Sequence, residues 1–358
     1  MKRIAVFCDG TWNSPVSKDH ETNVCKLSKV VRPVAADGVQ QVGHYHEGIG
    51  TSGGWLRRQF DGATGYGLSR NIRTAYRALA EVFEPGDELF LFGFSRGAFT
   101  VRSLAGFIRK CGILNRDRLH RVDEAFALYR RRDAASHPTE ALATTYRAEH
   151  SVETRIKFVG VFDTVGALGN PLLLNGGKVS FSRNRFHDLK LSRSVDFAYH
   201  ALAVDELRSK FEAALWDEPT EQVPGQVMRQ VWFAGAHSNV GGGYAPWPGA
   251  QGIVSDNALH WMANAARDAG LDLDLPALTP DPLAPINDSR LGIYRLWRPF
   301  LRPIDTRRYS DSAAVAPGSQ SLHESLLSRY RATTPPLYRP RNLDDRIPQT
   351  DAEVEVEV

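Results

Sequence analysis

Residues 88–102 read ELFLFGFSRGAFTVR, an apolar run that ends in GFSRG at residues 93–97 and then takes on helical spacing. This is the pattern of a nucleophile elbow, a tight turn that joins a buried strand to a helix and projects a serine hydroxyl. Small residues are required at Gly93 and Gly97, because strand and helix crowd each other there. In a chain with 30 glycines the five-residue pattern is weak by itself, so its surroundings have to support it.

A serine hydroxyl is a poor nucleophile at neutral pH, so Ser95 needs an aimed base and donors for the developing oxyanion. The backbone N–H of Arg96, at the start of the following helix, is one candidate donor. The loop after the first strand offers a second N–H, from Gly10 or Thr11.

Strand and helix patterns alternate through most of the chain. Short apolar runs predict strands, and spacings of three to four residues predict helices. The predicted strands are 4–8, 41–45, the run before the elbow, 156–162 and 226–234, and the predicted helices are 22–31, 69–83, 98–111, 195–214 and 255–269. This alternation predicts an α/β-hydrolase-like, doubly wound and mostly parallel sheet with helices on both faces and a site at the carboxyl ends of the strands.

The domain organisation is predicted as one α/β-hydrolase-like domain over residues 1–345, followed by a tail at 346–358. Within that domain, residues 271–345 are expected to form an irregular arm packed on the sheet, because the periodic pattern degrades there and prolines interrupt it. A glycine-rich loop at 47–67 and a Gly/Asn/Ser/Arg-rich segment at 171–194 are expected to border and cover the site.

Composition excludes several classes of protein. The net charge of +3 comes without a dense basic block, which argues against a nucleic-acid partner. Three scattered cysteines predict neither a disulfide framework nor a metal cage, so a reducing, cytoplasmic location is expected. The first apolar run is too short for a signal peptide, and no stretch approaches the ~18 residues of a membrane span. Leaderless export, peripheral membrane contact and oligomeric state stay open.

Three residues follow predicted strands in the order nucleophile, acid, base: Ser95, Asp163 and His237. α/β-Hydrolases use this order. One ring nitrogen of His237 would accept the Ser95 proton while Asp163 holds the other N–H, fixing tautomer and orientation. The sequence therefore predicts a serine ester hydrolase that needs no metal and no cofactor, acting on a small-molecule ester or a lipid.

Each of these residues also has a simpler interpretation. Ser95 could be a small corner residue, Asp163 a helix cap and His237 a local backbone partner, which would leave a degenerate hydrolase fold used for binding or as a scaffold. Asp9 with Asp163 and His237 would instead suit a metal-dependent phosphoester hydrolase. Two other histidines, His200 in a predicted helix and His323 beyond the last predicted strand, are expected to be structural.

Several longer motifs resemble the DUF2235 family. They are CDGTWN, GYGLSRNIRTAYRAL, LFGFSRGAFTVRSLAGFI, GVFDTVGALG, YHALAVDELR, WFAGAHSNVGGGY and LHESLLSRYR with YRPRNL, and they extend over most of the chain. The family is an α/β-hydrolase group that includes the catalytic domain of one class of type VI secretion phospholipase effectors. The resemblance implies a serine esterase or lipase with Ser95, Asp163 and His237 as nucleophile, acid and base.

The sequence departs from the family at two points. The histidine segment commonly reads HSDVGG in the family, whereas Asn239 stands here at the aspartate position. The secreted effectors also carry a long membrane-binding region for which 358 residues leave no room, so the expectation is an ester hydrolase of open substrate rather than a bilayer toxin.

Overall fold

The computed structural model describes residues 1–10, 21–48, 65–166, 189–217, 223–275, 278–290, 294–295, 298–304, 319–333, 337–343 and 356–357. Within these residues the central sheet has eight strands: β1 Arg3–Cys8, β2 Gln41–His46, β3 Glu88–Phe94, β6 Ile156–Phe162, β7 Val195–Ala203, β8 Val227–Phe233, β9 Gln320–His323 and β10 Val356–Glu357. Their order across the sheet is β10-β9-β8-β7-β6-β3-β1-β2. A small antiparallel pair, β4 Ile113–Leu114 with β5 Ser151–Val152, lies apart from it.

Every ladder of the central sheet within the described residues is parallel, as the sequence predicts. The carboxyl ends of the strands therefore share one edge. At that edge Cys8 pairs with Gly93, and Phe94 pairs with Phe162. The strand order reverses between β1 and β3, which is where open α/β sheets bind ligands.

Helices cover both faces of the sheet, so the doubly wound prediction is confirmed. Val6 and Leu91 face one core, and their neighbours Phe7 and Phe92 face the other, because successive strand residues point to opposite sides. The helices are α1 Asn23–Lys29, α2 Gly65–Val82, α3 Arg96–Cys111, α4 Val122–Arg130, α5 Ala141–His150, α6 His237–Gly241, α7 Ser255–Asp268 and α8 Glu324–Arg331. Helices α2, α3 and α4 pack on the first face, and α1 and α7 pack on the second.

The predicted helix at 195–214 is wrong. Residues Val195–Ala203 form strand β7, paired with β6 on one side and β8 on the other. A parallel strand buried on both faces does not alternate apolar with polar residues, so its pattern does not distinguish it from a buried helix. His200, predicted to lie in the middle of a helix, lies instead within this strand.

The C-terminal segment is more regular than predicted. Strand β9 and helix α8 both lie within 271–345, and β9 adds to the central sheet beside β8. Ile304 and Leu343 pack with Trp232 in a third cluster of buried residues. Within the predicted tail, Val356–Glu357 forms an edge strand on β9, while the division into one domain and a tail stays a prediction.

The segments predicted to border and cover the site, 47–67 and 171–194, lie largely outside the described residues. Within the part of the chain that is described, no helix combines the length and the hydrophobicity that crossing a bilayer requires.

Candidate active site

Ser95 occupies a strained turn between β3 and α3. Its backbone has φ 57° and ψ −118°, a region that non-glycine residues rarely adopt and that costs about 1–3 kcal/mol. Two hydrogen bonds hold it there: the Ser95 N–H donates to Phe162 O at 3.0 Å, and the Phe99 N–H donates to Ser95 O at 3.2 Å. The turn thus has the geometry that the elbow pattern predicts.

The two elbow glycines are explained by contact distances. A Cβ atom on Gly93 would lie 2.6 Å from the backbone of Ala98, and one on Gly97 would lie 2.0 Å from the carbonyl oxygen of Cys8. Both obstacles are backbone atoms that no side-chain rotation can remove. Only glycine lets α3 begin this close to β1 and β3.

Asp163 follows β6 immediately, next to the elbow in the sheet. It is completely buried and has a positive φ of 40°. Its N–H donates to Ala201 O at 2.8 Å, and its Oδ1 accepts from the Ala203 N–H at 3.0 Å. Its Oδ2 lies 2.5 Å from His237 Nδ1. The structure therefore brings together the acid and the base that the sequence predicts.

A further partner of Asp163 comes from the C-terminal segment and is absent from the sequence predictions. Arg302 Nη1 donates to Asp163 Oδ1 at 2.6 Å, and Nη2 donates to Oδ2 at 3.0 Å. Its side chain is 1% exposed. A buried carboxylate requires such a partner, but Arg302 lies in a proline-interrupted stretch whose pattern gives no indication of which of its arginines is buried.

The charge state of Asp163 follows from these contacts. Burial alone would raise the pKa of the carboxyl group, but the Arg302 charge and the hydrogen bond to His237 outweigh it and hold the pKa well below its usual range. Asp163 is therefore ionised at neutral pH and accepts a hydrogen bond from the Nδ1–H group of His237.

His237 begins the short helix α6 and is 5% exposed. Its ring lies 4.6 Å from the Phe94 ring and 5.1 Å from the Phe211 ring, measured between centroids. Because Phe94 directly precedes Ser95, the imidazole lies beside the elbow. With Nδ1 directed at Asp163, Nε2 points to the opposite side of the ring.

Asn239 stabilises the turn that carries His237. Its Oδ1 accepts from the N–H groups of Ala236 at 3.2 Å and Asn287 at 3.0 Å, and its Nδ2 donates to Asn287 Oδ1 at 2.9 Å. A Cβ atom on Gly235, which has φ 111°, would lie 2.5 Å from Asn239 Cβ. The departure from the family's aspartate thus falls on a residue that links two loops.

A buried ion pair that the sequence analysis does not predict lies behind His237. Glu206 is fully buried, and its Oε2 accepts from the His237 N–H at 3.3 Å and from Arg208 Nη2 at 2.6 Å. Burial would raise the pKa of Glu206, but hydrogen bonds and charge from Arg208 lower it. The Arg208 guanidinium carbon lies 3.6 Å from the centroid of the Phe211 ring. The ion pair therefore also packs against the aromatic ring that lies beside the imidazole.

The predicted oxyanion donors differ in their surroundings. Arg96 is the first residue of α3, so its N–H points out of the amino-terminal end of that helix, toward the Ser95 turn. The Gly10 N–H instead donates to Asp9 Oδ1 at 2.6 Å, so Asp9 would have to release it before it could bind an oxyanion. Thr11 lies outside the described residues.

The contacts of Asp9 and Asp163 do not suit the metal hypothesis. Asp9 Oδ2 accepts from Thr22 Oγ1 at 2.6 Å and from the Tyr45 hydroxyl at 2.5 Å. Both oxygens of Asp163 accept from the Arg302 guanidinium, whose positive charge would repel a cation. Among the residues whose positions are described, no group of three or more His, Cys, Asp or Glu side chains could hold a metal ion.

The two other histidines have backbone partners. Nε2 of the fully buried His200 accepts from the Thr164 N–H at 3.0 Å, and burial lowers the pKa of His200 to about 3. Nδ1 of His323 accepts from the Ser325 N–H at 3.1 Å and caps α8. Both therefore have the structural roles expected of them.

Comparison with known proteins gives one family and several relatives. Residues 2–265 match the type VI secretion system family described as phospholipase effector Tle1-like, catalytic domain. The uncharacterized protein YEL023C of Saccharomyces cerevisiae is 31% identical over 232 residues, which cover 59% of this chain and 32% of that protein.

Two solved structures are also similar. One is the crystal structure of an uncharacterized protein from Pseudomonas aeruginosa, with a TM-score of 0.44, 19% identity, and coverage of 77% of this chain and 47% of the other. The second is the Tle1 effector bound to the VgrG spike of the type 6 secretion system, with a TM-score of 0.38, 20% identity, and coverage of 70% and 52%. The chain thus spans about a third of its curated relative and about half of each solved chain.

The family match covers well over half of the 358 residues and includes Ser95, Asp163 and His237. This chain belongs to the family of Tle1-like phospholipase effector catalytic domains.

Proposed function

We propose that this protein is a serine hydrolase that cleaves carboxylic esters of acyl lipids through an acyl-enzyme. One observation carries the proposal: the contact of 2.5 Å between His237 Nδ1 and Asp163 Oδ2, next to Ser95 in its strained turn. A buried aspartate and histidine paired at the strand edge beside an elbow serine are what acyl transfer requires. Membership of a phospholipase family supports a lipid substrate.

In the first half of the reaction, His237 Nε2 accepts the proton of Ser95 as Oγ attacks the ester carbonyl carbon. The carbonyl electron pair moves onto oxygen, where the Arg96 N–H at the start of α3 stabilises it. His237 then returns the proton to the departing alcohol oxygen as the ester C–O bond breaks. The acyl group is left on Ser95.

In the second half, water replaces the alcohol. His237 accepts a proton from the water as its oxygen attacks the acyl carbon, and the proton then passes to Ser95 Oγ as the fatty acid leaves. Throughout, Asp163 stays ionised, so it holds the Nδ1 proton and stabilises the imidazolium in each half.

The choice between a phospholipid and a soluble ester is part of the proposal, with phospholipid favoured by the family. The three cysteines are buried free thiols, which supports the proposed cytoplasmic location. The pairing of Asp163 with His237 beside the Ser95 turn supports the hydrolase over the degenerate-fold alternative.

The test uses a fluorophosphonate probe and p-nitrophenyl esters with the purified protein, its Ser95→Ala variant and a Ser103→Ala control. Ser103 is also a buried serine and lies two turns further along α3. We expect labelling and turnover in wild type and control, and loss of both in Ser95→Ala, by about four orders of magnitude in kcat. Fatty-acid release from phosphatidylcholine vesicles, compared with p-nitrophenyl butyrate, then separates the two substrate classes.

Two outcomes would overturn the proposal. A folded wild type that is neither labelled nor active would indicate the binding or scaffold alternative. Activity that survives Ser95→Ala and disappears with a chelator would indicate the metal-dependent alternative.

A further inference from the structure

We propose that Arg302, which lies beyond the residues that match the family, is a positioning residue that fixes the Asp163–His237 pair and determines the pH range of the reaction. The inference rests on the proposed function and extends it to a group that touches no substrate.

The geometry of the contact is bidentate. Nη1 and Nη2 each donate to a different oxygen of Asp163, so the carboxylate plane is fixed relative to the guanidinium plane. The same nitrogens donate to the carbonyl oxygens of Ala203 and Phe211, the first at 2.8 Å. The guanidinium is thereby anchored to the end of β7 and to the segment after it, and the carboxylate cannot rotate away from His237.

Arg302 also acts on the other side of the imidazole. By accepting from Nη2, the Phe211 carbonyl ties that residue to the same guanidinium. The Phe211 ring meets the His237 ring edge to face at 5.1 Å. One arginine therefore restrains both Asp163 and Phe211, the two residues between which His237 is held.

The electrostatic effect follows from the charges near His237. Asp163 contacts the imidazole directly and favours the imidazolium, and Arg302, which binds the far side of the same carboxylate, opposes that effect. Among the described residues, contacts also place two other carboxylates near His237: Glu206, which accepts from the His237 N–H and is paired with Arg208, and Asp205, which accepts from the Gly235 N–H and the Tyr338 hydroxyl. Removing Arg302 would therefore expose His237 to a less compensated carboxylate.

Stability alone does not account for this ion pair. Burying a charged pair is often no better for stability than burying apolar side chains of similar volume. In the described part of the structure, Arg302 Nε is also buried without a hydrogen-bond partner, which adds to the cost. A role in fixing the acid explains why such a group lies at this position.

The experiment measures kcat/KM against pH for wild type, Arg302→Met and Arg302→Lys with a p-nitrophenyl ester. In Arg302→Met the uncompensated carboxylate either holds the His237 proton more tightly or takes up a proton itself. Both effects shift the acid limb of the kcat/KM profile, where activity falls as the pH decreases, to higher pH by about one unit. We expect kcat to fall about 10–100-fold while KM changes little, because the misplaced pair acts in the transition state.

Arg302→Lys keeps the positive charge but loses the planar guanidinium that binds both oxygens of Asp163. The acid limb of its kcat/KM profile should therefore stay near that of wild type, while kcat still falls. An exposed arginine of the same segment, Arg298, provides the matched control, and Arg298→Met should match wild type. A pH-independent loss in folded Arg302→Met would overturn the inference. If Arg302→Met does not fold by circular dichroism, a wild-type kcat in Arg302→Lys would overturn it.

The two proposals fail in different ways. If the wild type is not labelled by the fluorophosphonate, the proposed function fails. If labelling depends on Ser95 but the acid limb does not move in folded Arg302→Met, only the role of Arg302 is refuted.

Discussion

Replacing Gly97 with alanine tests whether the start of α3 is as close to the sheet as the structure indicates. A Cβ atom at this position would lie 2.0 Å from Cys8 O and 2.5 Å from Asp9 O. Ordinary contact distances are about 3.5 Å, so the overlap with Cys8 O is about 1.5 Å. Since both oxygens belong to the backbone at the end of a central strand, relief requires moving the helix.

Introducing extra atoms into a packed interior usually costs about 1–3 kcal/mol, and a backbone obstacle places Gly97→Ala at the upper end. We therefore expect the free energy of unfolding to fall by about 3 kcal/mol and Tm to fall by about 6 °C or more. Fluorophosphonate labelling of Ser95 should slow by a larger factor than stability alone predicts, because the displaced helix carries the elbow.

Gly106→Ala is the matched control in the same helix. A Cβ atom there would lie 3.4 Å from the Tyr129 ring, which is ordinary contact. Since glycine within a helix costs about 0.5–1 kcal/mol relative to alanine, this variant should be slightly more stable than wild type. Urea unfolding followed by circular dichroism measures both. Equal stability of the Gly97→Ala and Gly106→Ala variants would refute the close approach of α3 to β1.

Three further predictions follow from buried polar groups. Asp163→Asn leaves the Arg302 cation without a carboxylate and should cost about 3–5 kcal/mol in urea unfolding; a double variant with Arg302→Met that recovers none of this loss would contradict the ion pair. His200 stays neutral when folded down to about pH 3, whereas the unfolded chain binds its proton below about pH 6.5, so the wild-type free energy of unfolding should fall by about 1.4 kcal/mol per pH unit as pH decreases through that window. His200→Gln, whose amide oxygen can accept from Thr164, should remove this slope, and parallel curves for the two proteins would disprove the assignment. Asn239→Asp keeps an oxygen for the Ala236 and Asn287 N–H groups and should retain near wild-type turnover of p-nitrophenyl esters, whereas Asn239→Ala should lose about 1 kcal/mol of stability and part of its activity; equal behaviour of the two variants would contradict the linking role.

The sequence predicts the centre of the site because local rules decide it. The elbow requires glycine at fixed spacing, and Asp163 and His237 follow short apolar runs that predict strands. In a parallel sheet the ends of neighbouring strands share one edge, so residues distant in sequence meet there without further information. Asp163 and His237 do meet at this edge, while their catalytic roles stay predictions.

The elements that sequence analysis misses depend on tertiary context. Strand β7 contains three alanines and a leucine, which favour a helix locally, and it is a strand because β6 and β8 pair with it. Strand β9 has four residues, three of them polar, which is too short for a periodic signal. Arg302 is one of many arginines, and its burial is decided by the position of Asp163 rather than by its own neighbours in the chain.

The contact between Asp163 and Arg302 has a consequence for biosynthesis. The two residues are 139 positions apart. A ribosome adding about 5–20 residues per second needs about 7–28 s to travel from one codon to the other. During that interval the nascent sheet can already contain β1, β3 and β6, but the carboxylate at its edge has no counter-ion. The ion pair between Asp163 and Arg302 is therefore among the last contacts to form at the strand edge. A nascent chain that stalls before residue 302 has the elbow and Asp163 but lacks the arginine that fixes the carboxylate.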